Sequence, residues 1–230
     1  MADPRDGREG RGRGRAGGAS GAYPERVLVR LATLEDAGVL AAAMAQVADD
    51  GDWLATQAPV DLPAAELRFQ TAAVSPAHAL WVLEDDDGRV AGCLGLHPTH
   101  ATGVATLGMF VLGSARGRGG GRALLEAGLA HARAAELHKV ELEVWPENAR
   151  AIGLYARSGF AVEGLRRDHY RRRDGSLRSA LIMGLAVGAP TADPVRPAAG
   201  GPVLDAGAPK WAGGGDDEVG AGFGDGSCST

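Results

Sequence analysis

Residues 109–125 constrain this chain most. An apolar strand, Met109-Phe110-Val111-Leu112, runs through Gly113-Ser114-Ala115-Arg116 into Gly117-Arg118-Gly119-Gly120-Gly121, and Arg122-Ala123-Leu124-Leu125 opens an amphipathic helix. Leu124, Leu125, Gly128, Leu129 and Ala132 fall on one stripe, which predicts a helix over residues 119–137. The first N–H groups of such a helix have no partner within it and lie at the positive end of its dipole. Glycines let an anion approach that backbone closely. Arg116, Arg118 and Arg122 add positive charge beside it. By its physics the stretch is a pyrophosphate cradle. The competing reading is a helix start whose glycines only make a tight turn.

Two common phosphate-binding patterns fail here. A P-loop needs Lys-Ser or Lys-Thr after its glycines, and neither follows. The dinucleotide pattern Gly-x-Gly-x-x-Gly ends on Arg122 when started at Gly117 and on Leu124 when started at Gly119.

Around this stretch the sequence predicts a mixed α/β domain over residues 26–187, with about seven strands and four helices. Val27–Leu31 reads as a strand. Thr33, with Asp36 three residues on, caps a helix over 34–47, and Asp61 with Pro63 starts another over 62–74. Strands are expected at 79–84 and 89–96, joined by Asp85-Asp86-Asp87-Gly88, and at 104–112. In 139–145, Val140, Leu142 and Val144 alternate with Glu141, Glu143 and Trp145. Asn148–Arg157 is a short helix stopped by Gly159, and strands over 160–166 and 177–187 complete the sheet.

The flanks carry no helical or strand period. Residues 1–25 are Arg/Gly-rich and residues 188–230 are rich in Gly, Pro, Ala and Asp, so both are expected to be disordered. The Arg-Gly repeats resemble nucleic-acid-binding tails, but acidic residues interrupt them and the net charge is −5, so no nucleic-acid partner is expected. Cys93 and Cys228 give no disulfide framework, and Cys93 reads as core rather than as a nucleophile. The start MADPRDGREGRGRGR lacks the apolar core of a secretory signal, and no run approaches about 18 apolar residues, so a cytoplasmic protein with no membrane partner is expected. His97-x-x-His100 lacks the Glu and the helix of a zinc protease motif, so no metal is expected.

Arg116, Gly119 and Gly121 fill the pattern Arg/Gln-x-x-Gly-x-Gly/Ala, which resembles the coenzyme A loop of the GCN5-related N-acetyltransferase (GNAT) superfamily. Downstream, Glu143-Val144, Asn148, Ala151, Leu154-Tyr155 and Gly159-Phe160 resemble the signature of its ribosomal-protein N-terminal acetyltransferase branch. The likeness is close over 104–187 and only an outline over 26–103. It implies a mixed, mostly antiparallel sheet and an enzyme that moves an acetyl group from acetyl-coenzyme A to a primary amine, a protein N-terminus or a small amine. A homodimer is compatible with it. A non-catalytic acyl-coenzyme A sensor is the rival reading.

The resemblance implies a role for each matched residue. Met109, Phe110 and Val111 would bond the pantetheine arm through their backbone. Arg116, Gly117, Arg118, Gly119, Gly120, Gly121 and Arg122 would hold the pyrophosphate, and Asn148 would touch the arm. Glu143 would accept the proton of the amine, with Glu141 as a neighbour able to substitute. Tyr155 would protonate the leaving thiolate. The residues by themselves leave two alternatives: Glu143 as a solvated or ion-paired strand residue, and Tyr155 as a buried aromatic. Arg166, Arg167, Arg171, Arg172 and Arg173 read as a solvated hairpin edge, the alternative being a face for an acidic substrate or for the 3′-phosphate of the cofactor. The run Asp49-Asp50-Gly51-Asp52-Trp53 is either a receptor for a cationic amine or an exposed loop.

Overall fold

The sheet's strands are β1 (Leu28–Leu31), β2 (Ala79–Glu84), β3 (Val90–Pro98), β4 (Val104–Val111), β5 (Lys139–Val144), β6 (Ala161–Arg171) and β7 (Leu177–Ala186). They are ordered β1-β2-β3-β4-β5-β7-β6. Helices α1 (Ala37–Asp49), α2 (Leu62–Val74), α3 (Gly120–Ala134) and α4 (Ala149–Arg157) cover its faces. This computed structural model describes residues 28–51 and 53–188. Of the two tails expected at 1–25 and 188–230, only Gly188 falls among the described residues. All neighbouring strands run antiparallel except β4 and β5, so the architecture is the mixed, mostly antiparallel one the sequence predicts.

Apolar runs that alternate between two buried faces give the domain two cores. Trp81, Leu83, Leu94 and Met109 turn to α3 and α4, where they meet Leu124, Leu125, Leu129 and Tyr155. Leu80, Val82, Cys93 and Phe110 turn the other way, to Leu40, Met44 and Val47 of α1 and Phe69 of α2. Cys93 is thus a core residue, as its position implied.

The parallel pair β4–β5 is short. Its register holds for Val104↔Lys139, Ala105↔Val140 and Thr106↔Glu141 and no further. β5 stays paired to β7 as far as Val144↔Leu181, and β4 stays paired to β3 as far as Val111↔Gly92. The sheet therefore opens between the C-terminal ends of β4 and β5.

Several boundaries differ from the sequence reading. The helix expected from Leu34 begins as a 3₁₀ turn, Leu34–Asp36, and becomes α-helical at Ala37. Asp36 explains the break. Its Oδ2 accepts from the Thr33 backbone N–H at 2.7 Å and from Arg30 Nη1 at 2.8 Å, while Oδ1 accepts from Arg30 Nη2 at 2.8 Å. Arg30 Nε also donates to Glu84 at 2.6 Å, so one guanidinium ties β1, the helix start and β2 together. It holds the Asp36 carboxyl well below the usual carboxylate range, against the opposing effect of burial. α3 stops at Ala134, ahead of the expected Leu137, and Glu136 takes a left-handed φ of 55°. β6 runs past the expected Arg166 to Arg171 through a bulge in which Arg167–His169 oppose Ser179 alone. Asp168 takes a φ of 49° there, and its N–H donates to Ser179 Oγ at 3.0 Å.

Arg166, Arg167, Arg171 and Arg173 of the basic run are exposed on β6 and its turn, the edge that the sequence suggests, and Arg172 departs from it. Arg172 is buried, and its Nη1 donates to the Leu54 and Ala55 carbonyls at 3.1 and 3.2 Å. The Arg173 N–H donates to Gln57 Oε1 at 2.8 Å, and its guanidinium donates to the Ala58 and Pro59 carbonyls. The β6–β7 turn is therefore laced to the α1–α2 loop.

Two predictions follow from these contacts. Asp36→Ala removes the carboxylate that Arg30 and Thr33 share, and should lower unfolding stability by about 1–3 kcal/mol in urea titration. His97, whose ring lies 5.1 Å from that of His78, is pushed down to about 4, chiefly by burial and secondarily by the His78 charge. An unfolded histidine protonates near 6.5, so the unfolded chain binds the extra proton first as pH falls. Stability should be full above about pH 6.5 and drop by about 2–3 kcal/mol towards pH 4. His97→Gln should flatten that part of a melting-temperature profile, and an unchanged slope would refute the assignment.

Candidate active site

The glycine run after β4 has a conformational reason at three of its four positions. Gly117 and Gly119 take φ values of 87° and 88°, the left-handed region that side chains disfavour. A Cβ on Gly120 would sit 2.4 Å from Leu83 Cδ2, so α3 can lie close on β2 only with glycine there. At Gly121 the nearest atom to a Cβ, Leu154 Cδ2, is 3.4 Å away, and alanine would fit. α3 thus begins sharply at Gly120, and its first N–H groups, which no helical carbonyl can reach, open at the end of β4.

A cavity of about 450 Å³ lies at the C-terminal end of β4, where that strand has parted from β5. That is the range of pockets for small organic ligands. One wall is the end of β4, at Met109, Phe110 and Val111. The glycine turn supplies Gly117, Gly119 and Gly121, with Arg116 and Arg122 beside them. Asn148 stands at the start of α4, where its Oδ1 caps the helix by accepting from the Ala151 N–H at 3.1 Å. These nine residues are brought together around one cavity.

The other four expected site residues lie elsewhere. Gly120 is buried beneath the turn against Leu83, and Arg118 leans towards Asp86 in the β2–β3 turn at 3.9 Å. Glu143, on β5, is held from two sides: Tyr170 Oη donates to its Oε2 at 2.7 Å, and Arg166 Nη1 lies 2.9 Å from its Oε1. Tyr155, on α4, is 0% exposed and rests against Phe160 with ring centroids 5.7 Å apart. Neither borders the cavity. Glu141, two residues before Glu143 on the same face, lies 3.9 Å from Lys139.

Sequence reasoning missed several cavity residues. Arg150, Leu154 and Arg157 line it from α4, and their spacing of four and three residues is the signal that would have found them. Val47, on α1, and Trp53 and Leu54, in the loop after it, close it from the α1 side; Trp53 belongs to the run that the sequence offers as an amine receptor or an exposed loop, and Val47 carries no such signal. Trp145 was grouped with the glutamate face of β5. It is 1% exposed, with Tyr170 edge-on at 5.1 Å and the Arg172 and Arg178 guanidinia 5.9 and 5.3 Å from its ring centroid. Among the described residues no cluster of three His, Cys, Asp or Glu is placed to hold a metal. None of the described helices is long and apolar enough to cross a membrane.

Known proteins match this arrangement. A mycothiol acetyltransferase of Beutenbergia cavernae is 45% identical over 86 residues, covering 35% of this chain and 28% of that protein. The chain therefore matches little more than a quarter of that relative's length. The ribosomal-protein-alanine N-acetyltransferase of Brucella melitensis superposes with a TM-score of 0.63 at 24% identity, covering 69% of this chain and 99% of that one. A phosphinothricin acetyltransferase of Sinorhizobium meliloti, solved with acetyl-coenzyme A, superposes with a TM-score of 0.63 at 19% identity, over 70% of this chain and 89% of that one. The sequence pattern of the acetyltransferase (GNAT) family matches residues 46–160, half of the chain. With the glycine-forced helix start and the opening of the sheet beside it, that match makes the chain a member of the acetyltransferase (GNAT) family.

Proposed function

We propose that this chain moves an acetyl group from acetyl-coenzyme A to a primary amine by direct transfer, the amine being a protein N-terminus or a small molecule. The observation that carries this is the start of α3: Gly117 and Gly119 in left-handed backbone and Gly120 with no room for a Cβ, all beside a cavity in the opened sheet. Free N–H groups at a helix start suit a pyrophosphate, and the unpaired end of β4 suits an amide-bearing arm. Relatives solved with acetyl-coenzyme A support the same donor.

Direct transfer needs a proton taken from the ammonium and one given to the leaving thiolate. Glu143 takes one proton from the ammonium. The amine nitrogen then bonds to the thioester carbon and the carbon–sulfur bond breaks. Tyr155 gives its proton to the thiolate, and the phenolate recovers a proton as the new amide nitrogen sheds its second. Glu143 is fixed in orientation by Arg166 and Tyr170. The full burial of Tyr155 supports its role, because water does not compete with its hydroxyl.

One observation favours the rival reading, a chain that binds acyl-coenzyme A without turnover: neither Glu143 nor Tyr155 borders the cavity. Thiol release from acetyl-coenzyme A separates the two. With an amine panel of N-terminal peptides, polyamines, aminoglycosides and amino acids, one class should be acetylated. Glu143→Gln and Tyr155→Phe should each lower kcat by about 10²–10⁴-fold with donor affinity nearly unchanged. Donor binding with no turnover on any amine would instead establish the binding module. In the cradle, Gly119→Val forces a β-branched residue into left-handed backbone and should weaken acetyl-coenzyme A binding at least about tenfold, whereas Gly121→Ala should leave it within about threefold. Calorimetric titration of both variants checks this pair.

A further inference from the structure

Val140, Leu142 and Val144 of β5 point into the sheet face that meets α3 and α4, so Glu141, Glu143 and Trp145 point to the opposite face. On that face α1 and α2 pack on Leu80, Val82, Cys93 and Phe110 of β2, β3 and β4. Farther along the sheet, the side chains that reach Glu143 come instead from β6. Ile182 of β7 lies opposite both Glu143 and Gly164 of β6, which sets the three on one side. A Cβ on Gly164 would meet nothing nearer than Ile182 Cδ1 at 3.9 Å, so the surface there is not filled.

One chain of contacts links the Glu143 carboxylate to three guanidinia. Arg166 Nη1 lies 2.9 Å from Glu143 Oε1 and 3.4 Å from His169 Nε2. Tyr170, which donates to Glu143 Oε2, stands edge-on to Trp145, and the Arg172 and Arg178 guanidinia lie 5.9 and 5.3 Å from that ring's centroid. The buried indole N–H of Trp145 adds a donor that has no acceptor among the described residues. Glu141 and Glu163, the next carboxylates along the hairpin, share Lys139 at 3.9 and 2.6 Å. Arg166 is the open member of the group. Its side chain is 44% exposed, and its Nε and Nη2 make no hydrogen bond or ion pair among the described residues. Glu143 and Arg166 thus present a negative and a positive group side by side, with the outer edge of the guanidinium open.

A ligand complementary to that pair carries an ammonium and a carboxylate equally close together. We infer that the acceptor is a small zwitterion, an amine with a carboxylate on the same or the next carbon, whose ammonium meets Glu143 and whose carboxylate takes the Nε–Nη2 edge of Arg166. Two parallel N–H donors on one guanidinium edge match the two oxygens of a carboxylate. The same cluster selects against other amines. A polyamine or an aminoglycoside brings further cations to a site that already holds three guanidinia, and a peptide N-terminus puts an amide where the carboxylate would lie. This inference rests on the proposed transfer to an amine and narrows the acceptor.

Rates of thiol release by the full chain with acetyl-coenzyme A test it. The acceptors are free α- and β-amino acids, the primary amide of each, N-terminal peptides and polyamines, with wild type, Arg166→Gln and Arg167→Gln. Both arginines are exposed, and melting temperatures check that the variants fold. The wild type should use at least one free amino acid with kcat/KM about tenfold or more above that of its amide, as expected for one charge-assisted contact. Arg166→Gln should bring that ratio to within about threefold of unity, chiefly by raising KM for the acid. Loss of Glu143 orientation alone would lower both rates and leave the ratio as it was. Arg167→Gln removes the same charge one residue away and should keep the wild-type ratio. An unchanged ratio in Arg166→Gln overturns the assignment to Arg166. A wild type that treats acid and amide alike, or that acetylates only peptides or polyamines, overturns the zwitterionic acceptor and leaves the proposed function standing; this ratio is read whether or not a variant folds. Turnover of no amine overturns the proposed transfer and this inference with it.

Discussion

After Thr106 and Glu141, β4 and β5 no longer share hydrogen bonds, and most of the functional geometry depends on that separation. Each strand keeps its other neighbour, so the opening is held by β3 on one side and β7 on the other. Unpaired backbone groups on strands are costly unless something meets them. Here the opening is bordered by the start of α3, by α4 and by the loop after α1, which leaves a cavity rather than a packed seam. A ligand with an amide-bearing arm can complete the ladder that β5 leaves unfinished.

Three contacts make the cavity a fixed shape. Gly120 lets α3 lie directly on Leu83 of β2, so the helix start cannot retreat from the end of β4. Arg116 fastens the glycine turn to the Val111 carbonyl. On the far side, Arg172 and Arg173 hold the α1–α2 loop against the β6–β7 turn, and Trp53 and Leu54 of that loop reach the cavity. That loop is thereby coupled to the hairpin carrying Tyr170, whose hydroxyl holds Glu143.

Local rules made much of this legible before any coordinates. The strand–glycine–helix passage, the Asp61 cap of α2, the alternation in β5 and the Asn148 cap of α4 each rest on residues close in sequence, and each forms as expected. What was not legible depends on distant partners. The early 3₁₀ turn follows from the bonds of Asp36 to Thr33 and to Arg30, a guanidinium that Glu84, 54 residues on from it, also holds. The length of β6 could not be read because its apolar pattern ends at Leu165, and it continues only through pairing with Ala180 and Arg178 across a bulge. The environment of Trp145 and Glu143 was hidden for the same reason, since Tyr170, Arg166, Arg172 and Arg178 arrive from β6, its turn and β7. The burial of Arg172 within an otherwise exposed basic run was hidden because sequence alone does not reveal the loop carbonyls that it meets.

The central claim is that the opening between β4 and β5, capped by the start of α3, is where the acyl donor binds. Amide hydrogen exchange of the full chain with and without saturating acetyl-coenzyme A tests it most directly. The account predicts slowed exchange at Met109–Val111 and in the turn 117–122, with the exposed edge strand β6 unchanged. Protection that spares both segments, or that appears on β6 alone, would contradict it.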